Sequence, residues 1–355
     1  MDRELIIFRS LFKGREDVFA IRWEREGKSG YMPACDLDWN KFVEHKAKSG
    51  TFKDFPEKQY SLLTNDRIIN HLNGKEIIGF YPLLQNNTSW FIAADFDQSV
   101  SKNKSWIDDC RSFIAQCERY YLPVYLERSR SGTGGHVWMF FEEPYPAYKS
   151  RRIFLHLLHS SGIISEFDKD SNFDRLFPNQ DYHSGKGLGN LIALPLQKKA
   201  LENDNACFIN PESLEKFPHQ FQFLMQVQKI SSSRLDELYN SIHKEKQSNS
   251  EYSTNKNHDA NEKLQITLDN KISLSRTGLT NLLIRYLRDN LNFINIHYFI
   301  KKNSGRNTYN TKSYFKTLDE SNDNIVMPRG LIGKLLRYCK EQNILYYFED
   351  KRVKL

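Results

Sequence analysis

The stretch FIAADFDQ, residues 91–98, has the pattern of a buried β-strand that ends in two carboxylates, Asp95 and Asp97. Successive side chains of a strand point to opposite faces, so residues i and i+2 project from the same face. The two carboxylates are therefore expected side by side, where they repel each other unless a cation lies between them. Oxygen ligands of this kind suit Mg²⁺ or Mn²⁺. The alternative is a strand that simply enters a polar loop, because a D-x-D pair alone is a weak signal.

Strands and helices alternate around this stretch. Apolar residues at helical spacing predict two helices, and apolar runs bounded by turn residues predict three further strands. The helices are expected over residues 101–121 and 147–162, and the strands over 124–129, 135–143 and 187–197. This interleaving indicates an α/β or α+β core over roughly residues 75–210.

Composition and charge bound the class of protein. The chain has 355 residues, of which 39% are hydrophobic and 27% charged, as in soluble globular proteins with two or three domains. No run of about 18 apolar residues predicts a membrane span, and the N-terminal residues do not have the pattern of a signal peptide. Five cysteines without a C-x-x-C pair indicate free thiols and a cytoplasmic location. The net charge of +7 permits a polyanionic partner such as nucleic acid but does not require one.

The polarity of the sequence changes after the predicted core. Residues 231–272 contain a long run of Asn, Lys, Ser and Glu, which cannot bury enough apolar surface to offset the entropy of ordering. Amphipathic helical patterns follow at 279–293 and within 328–350, and the second of them runs into a strand. The sequence therefore predicts a main domain over 1–230, a polar linker over 231–272 and a small helical accessory domain over 273–355.

A second candidate site is the Ser- and Gly-rich turn from Ser131 to Gly135, which joins two apolar strands and precedes His136. Glycines such as Gly132 and Gly135 let backbone N–H groups approach an anion, and a histidine adds a further donor. The alternative is an ordinary hairpin turn with a surface histidine.

A third candidate is the segment DRLFPNQDYHSGKGLGN, residues 174–190. Asp174 lies among apolar residues, so its carboxylate is expected to be partly buried. Lys186 is flanked by glycines, which suits a cation that contacts phosphate. Asn190 is a further candidate to which the residues alone assign no role.

In this order, the strings AADFD, SRSGTGGHVW and DRLFPNQD…GKGLGNLIALPLQ resemble the three motifs of the archaeo-eukaryotic primase superfamily. The nearest branch is that of TOTE conflict systems and CRISPR-associated primase-polymerases, and the resemblance covers nearly the whole chain except the polar linker. It implies an α+β fold: a primase catalytic core, with an RRM-like sheet and an N-terminal α/β unit, followed by a small, mainly helical C-terminal domain. One departure is a Ser-to-His turn one residue shorter than in some members.

The resemblance also implies roles for the candidate residues. Asp95, Asp97 and Asp174 would be the catalytic carboxylates that hold two Mg²⁺ or Mn²⁺ ions. The residues that would hold the triphosphate of the incoming nucleotide are Ser131, Gly132, Gly135, His136 and Lys186, with Asn190 as a further nucleotide-binding candidate.

The implied function is template-dependent primer synthesis and extension on single-stranded DNA. The implied partners are the DNA template, deoxynucleoside triphosphates and a helicase or CRISPR adaptation proteins, with no membrane; the use of ribonucleoside triphosphates stays open, as do de novo initiation and the biological pathway. One alternative is a non-catalytic module that binds single-stranded nucleic acid. A metal-dependent nuclease or a D-x-D glycosyltransferase would not explain the Ser/Gly/His turn together with the later Asp and Lys.

Overall fold

The computed structural model describes residues 2–52, 55–98, 105–164, 172–183, 185, 187–242, 263–303, 311, 314–320 and 324–352. These residues form two compact units. The first contains the described residues of 1–98, 103–161 and 172–239, and the second contains those of 162–171 and 240–355.

Helices and strands are mixed in the part of the chain up to residue 242. The helices are α1 (Asp2–Leu11), α2 (Trp39–Ala47), α3 (Asn65–Leu72), α4 (Trp106–Arg119), α5 (Ala147–Ser160), α6 (Lys198–Leu201), α7 (Gln220–Gln226) and α8 (residues 232–242). The strands are β1 (Phe19–Arg25), β2 (Lys28–Pro33), β3 (Cys35–Asp36), β4 (Gln59–Tyr60), β5 (Ile78–Phe80), β6 (Thr88–Asp97), β7 (Tyr125–Arg128), β8 (Gly134–Pro146), β9 (Phe173–Phe177), β10 (Ile192–Ala193), β11 (Cys207–Phe208) and β12 (Lys229–Ile230).

A six-stranded sheet forms the centre of the first unit, in the order β11-β7-β8-β6-β9 with β12 parallel to β8. The long strands β6 and β8 are its interior because their apolar residues are buried on both faces. Phe96 lies on the face that packs against Phe113 of α4. Phe91 and Trp138 lie on the opposite face, where α1 contributes Phe12. Since Asp95 is four residues from Phe91, it emerges on the α1 face.

A four-stranded sheet, in the order β10-β5-β1-β2, forms the N-terminal part of the same unit. Its buried residues Phe19, Ile78 and Phe80 belong to the same apolar cluster as Phe91 and Trp138. The predicted strand over 187–197 contributes only β10 to this sheet. The N-terminal sheet is therefore packed against the face of the central sheet from which Asp95 emerges.

The second unit also combines strands with helices. Its elements are β13 (Leu264–Leu268), β14 (Lys271–Ser275), α9 (Asn281–Leu291), β15 (Asn292–Ile294), α10 (Ile296–Asn303), β16 (Tyr314–Lys316), β17 (Asp319–Glu320), β18 (Asn324–Pro328), a 3₁₀ turn (Arg329–Leu331), α11 (Ile332–Glu341) and β19 (Tyr346–Asp350). Five strands form one sheet in the order β17-β18-β14-β13-β19. Its core is aliphatic: alternate strand residues such as Ile266 and Leu274 pack with Leu287 of α9 and Leu335 of α11.

Two sequence-based expectations differ from this architecture. The C-terminal domain is not mainly helical, because LQITL and KISLS alternate apolar and polar residues and form strands β13 and β14. The described ends of the predicted linker 231–272 are also ordered. Leu235, Leu238 and Ile242 are buried at helical spacing in α8, and Leu264–Leu268 is a strand; residues 243–262 lie outside the described residues.

Two further features of the molecule are the state of its cysteines and the apolar character of its helices. All five cysteines are free thiols, four of them buried and Cys35 half-buried. Within the described residues, none of the helices combines the length and the apolar character needed to cross a bilayer.

Candidate active site

Three carboxylates from two neighbouring strands come together at one end of the central sheet. Strand β6 ends in Asp95 and Asp97, and β9 pairs with it in antiparallel register. The register shifts between Asp95 and Phe96, which leaves Asp174 as the extra residue of β9. One carboxylate oxygen from each of Asp95, Asp97 and Asp174 lies within 4.8 Å of the others. The structure therefore brings together all three carboxylates that the sequence singles out.

The cluster is asymmetric in burial and charge. Asp95 is half-buried, whereas Asp97 and Asp174 are exposed to solvent, so the expectation of a partly buried Asp174 was wrong. Burial raises the pKa of Asp95 to about 7, and the neighbouring carboxylates add to this effect while His136 opposes it. The guanidinium of Arg175 contacts Asp174, with 2.5 Å between Nε and Oδ2. Three carboxylates at this spacing offer only hard oxygen ligands, the set that Mg²⁺ and Mn²⁺ prefer.

His136 lies opposite Asp95 in the β6–β8 ladder and opposite Glu127 in the β7–β8 ladder. Its Nδ1 donates to Glu127 Oε2 at 2.9 Å, and the same oxygen accepts a hydrogen bond from Trp138 Nε1 at 2.7 Å. The other ring nitrogen, Nε2, lies 3.4 Å from Asp95 Oδ1. The imidazole is thus held on one side and directed into the carboxylate cluster on the other.

Electrostatics make this histidine a cation. Burial alone would lower the pKa of His136, but the carboxylates of Glu127 and Asp95 outweigh it and raise the pKa to about 9. Glu127 was not among the candidates because it is a single charged residue inside an apolar strand. Its role depends on the cross-strand register with His136, which one sequence does not show.

The Ser- and Gly-rich turn lies directly beside the carboxylates, since Gly134 pairs with Asp97. The exposed Ser131 hydroxyl is 3.1 Å from the Ser129 hydroxyl and 3.0 Å from the Thr133 hydroxyl. Gly132 has a φ of +76°, in the left-handed region that favours glycine. The turn is therefore a compact, hydroxyl-rich edge of the cluster.

Close packing also explains Gly135. A Cβ there would lie 2.5 Å from the Trp106 ring and 2.8 Å from the carbonyl oxygen of Glu127. A side chain at this position would displace either the start of α4 or strand β7, which carries Glu127.

The remaining two candidates are Lys186 and Asn190. Lys186 lies outside the described residues. Asn190 is half-buried two residues before β10, in the segment that leads into the N-terminal sheet. Within the described part of the chain, its side chain has no hydrogen bond to the carboxylates or to His136.

Comparisons with known proteins place this geometry in context. The sequence profile described as the archaeo-eukaryotic primase domain of the TOTE conflict system matches residues 3–238, which include every candidate site residue. No curated protein matches the chain. Among solved structures, one similar chain is the polymerase domain of Mycobacterium tuberculosis ligase D in complex with DNA. It is 10% identical, with a TM-score of 0.34, and the match covers 68% of this chain and 87% of that one.

Proposed function

Because the chain belongs to the archaeo-eukaryotic primase family of TOTE conflict systems, we propose that it is a template-dependent primase-polymerase. It makes and extends primers on single-stranded DNA by nucleotidyl transfer. The observation that carries the proposal is the convergence of Asp95, Asp97 and Asp174, whose oxygens lie within 4.8 Å of one another at the open end of the sheet.

The three carboxylates fit a pair of divalent cations, Mg²⁺ or Mn²⁺. Asp95 and Asp97 project from one face of β6, and Asp174 reaches the same point from the bulge in β9. When bound, two such ions stabilise the attacking and the leaving oxygens of an in-line displacement. The carboxylates themselves position the reacting groups and balance the charge of the ions.

The neighbouring turn suits the triphosphate of the incoming nucleotide. His136 is a cation whose Nε2 is directed into the site while Nδ1 is fixed by Glu127. A charge-assisted hydrogen bond from Nε2 to a phosphate oxygen is stronger than one from a neutral donor. The Ser131 hydroxyl and the backbone around Gly132 and Gly135 add further donors at the edge of the cluster. The assignments of Lys186 and Asn190 to nucleotide binding stay predictions.

Substitution of the two β6 carboxylates tests the proposal. The Asp95→Ala/Asp97→Ala variant should lose primer extension with Mg²⁺ or Mn²⁺ by at least about 10³-fold, because removing the ligands removes several kcal/mol of transition-state stabilisation. Its binding to single-stranded DNA should change little. A matched control is Glu142→Ala/Glu143→Ala, which removes two exposed carboxylates elsewhere on β8. Equal extension by the Asp variant and the control would overturn the metal assignment.

A further inference from the structure

The positive charge of the chain is concentrated outside the primase domain. Residues 263–355 contain 17 Lys and Arg against 8 Asp and Glu, whereas residues 1–262 contain 34 against 36. The C-terminal domain therefore carries an excess of +9 on 93 residues, and the rest of the chain is slightly acidic. The C-terminal domain is therefore the part of the chain whose net charge attracts a polyanion.

Within this domain, helix α11 separates its apolar and basic residues. Leu335 and Cys339 are buried against the five-stranded sheet. Lys334, Arg337 and Lys340 follow one another at i+3 spacing and are all exposed on the opposite side of the helix. Arg329, in the preceding 3₁₀ turn, is exposed as well. These four residues are termed the basic face.

The described acidic residues of the domain, including Glu341 one turn after Arg337 on α11, form no ion pair with the basic face. Most of them pair with other cations: Asp289 with Arg288, Asp319 with Lys271, Glu320 with Arg276 and Lys316, Glu349 with Lys351, and Asp350 with Arg352. None of the ion pairs among the described residues includes a member of the basic face. Its charges are thus available to an external anion.

Gly333 lies beside this face and has no packing function. A Cβ at Gly333 would meet nothing within 4 Å, and the same holds for Gly330. Glycine inside a helix costs about 1 kcal/mol relative to alanine. Here no neighbouring atom offsets that cost, but the absence of side chains leaves the backbone beside the lysines open to close approach.

We propose that the basic face of α11 is a second nucleic-acid site, separate from the carboxylate cluster, which binds the phosphate backbone of single-stranded DNA. Its ligand is identified by charge complementarity: cations at regular spacing, without acidic partners, match a chain of phosphates. The choice of single-stranded DNA rests on the proposed function, because a primase must hold a template on which no primer yet provides a duplex.

Charge reversal with a matched control tests this site. The probe is a fluorescein-labelled oligo(dT) strand, and its anisotropy is measured with the full chain at several salt concentrations, without metal or nucleotide. The test variant is Lys334→Glu/Arg337→Glu/Lys340→Glu. The control is Lys28→Glu/Lys46→Glu/Lys48→Glu, which changes the net charge equally at three exposed lysines of the first unit. Binding measured in this way can succeed even if synthesis fails, so the two proposals fail separately.

The expected result is a loss of affinity of at least about tenfold in the test variant, with a change within about twofold in the control. Each phosphate contact contributes about 0.7 to the slope of log K against log salt, so three lost contacts should lower that slope by about 2. The neutral variant Lys334→Gln/Arg337→Gln/Lys340→Gln should lose less affinity than the charge-reversed variant. It removes the positive charges without placing three negative charges on one helix, so it still tests the site if the reversed variant unfolds α11. Unchanged affinity in the neutral and reversed variants, or an equal loss in the control, would overturn the proposal.

Discussion

The central six-stranded sheet and the five-stranded sheet of the C-terminal unit use charged residues in opposite ways. In the central six-stranded sheet, charged and titratable groups are placed at buried or half-buried positions, including Asp95, Glu127 and His136. In the five-stranded sheet of the C-terminal unit, the core is aliphatic, and the buried polar side chains among its described residues are Asn292 and Asn295. The charged side chains among its described residues are exposed or half-buried.

This difference suggests that the buried charges of the first unit serve the proposed reaction, whereas the surface charges of the C-terminal unit attract a polyanion. A buried charge costs free energy unless it is paired. In the central sheet the buried carboxylate of Glu127 is accordingly paired with His136 through a hydrogen bond. A surface charge costs little and acts over a Debye length, which suits recruitment of a polyanion. We therefore expect changes of pH and substitutions to affect the stability of the two units differently. Tryptophan fluorescence reports on the unfolding of the first unit alone, because all five Trp residues lie within residues 23–138.

The largest expected effect concerns His71, which is fully buried in the first unit. The amide of Ile78 donates to Nδ1 at 3.1 Å, and Nε2 donates to the Pro195 carbonyl oxygen at 3.0 Å, so the folded protein requires the neutral ring. Burial lowers the pKa of His71 from 6.5 to about 4. As the pH falls from 6.5 to 4, the unfolded state takes up a proton that the folded state does not. The free energy of unfolding should therefore fall by up to about 3 kcal/mol.

Urea unfolding followed by tryptophan fluorescence checks this prediction across that pH window. His71→Gln should be less stable at neutral pH but should show a weaker dependence on pH. The control is His159→Gln, which changes an exposed residue of α5 and should leave the pH dependence as in the wild type. If the free energy of unfolding depends on pH in the same way in the wild type and in His71→Gln, then His71 is not the source of the pH dependence of the first unit.

The next effect concerns Glu127, the positioning residue for His136. Glu127→Gln removes the carboxylate that holds the imidazole and its charge, so we expect a rise of about tenfold in the nucleotide KM, or about 1.4 kcal/mol, with a smaller change in kcat. The pKa of His136 should fall from about 9, so the KM should begin to increase at a lower pH than in the wild type. Steady-state primer extension across pH measures both quantities.

The control for Glu127 is Glu142→Gln, an exposed carboxylate on β8. A loss of folding in Glu127→Gln would lower kcat and active enzyme concentration without shifting the pH profile of KM. A pH profile identical to that of the wild type would contradict the assigned role.

The sequence predicts much of the candidate site in the central sheet because its signals are local. An apolar strand that ends in D-x-D, a Ser/Gly turn before His136 and the later Asp174 are each visible within a few residues. Glu127 was missed because its importance arises from a cross-strand pairing, and pairing between strands distant in sequence is not encoded in a local pattern.

Strands β13 and β14 were missed for a different reason, whereas the predicted strand after the second helical pattern is confirmed by β19. LQITL and KISLS do alternate correctly, but they are short and follow directly on a long polar segment. The amphipathic helices after them give a stronger periodic signal, which dominated the prediction of a helical domain. The separation of charge between the units is visible in composition, and the structure adds that Lys334, Arg337 and Lys340 are exposed on the side of α11 away from its buried residues.

The smallest expected effect is at Gly333. Gly333→Ala should stabilise the C-terminal unit by about 0.5–1 kcal/mol, because alanine favours the helix and its Cβ has free space. Hydrogen–deuterium exchange of Ile332–Glu341 should slow accordingly, while unfolding followed by tryptophan fluorescence should not change. Faster exchange in α11 would show that Gly333 has a structural function that the free space around it does not indicate.

The most direct test of the central claim is synthesis on unprimed single-stranded DNA with Mg²⁺ or Mn²⁺ and nucleotides labelled at the γ-phosphate. Only the first nucleotide of a new strand keeps this label, since each later addition releases pyrophosphate. We predict short labelled products that disappear in Asp95→Ala/Asp97→Ala. The absence of products from the wild-type chain, both here and in a parallel reaction that extends a primer labelled at its 5′ end, would contradict the claim that the carboxylate cluster catalyses nucleotidyl transfer.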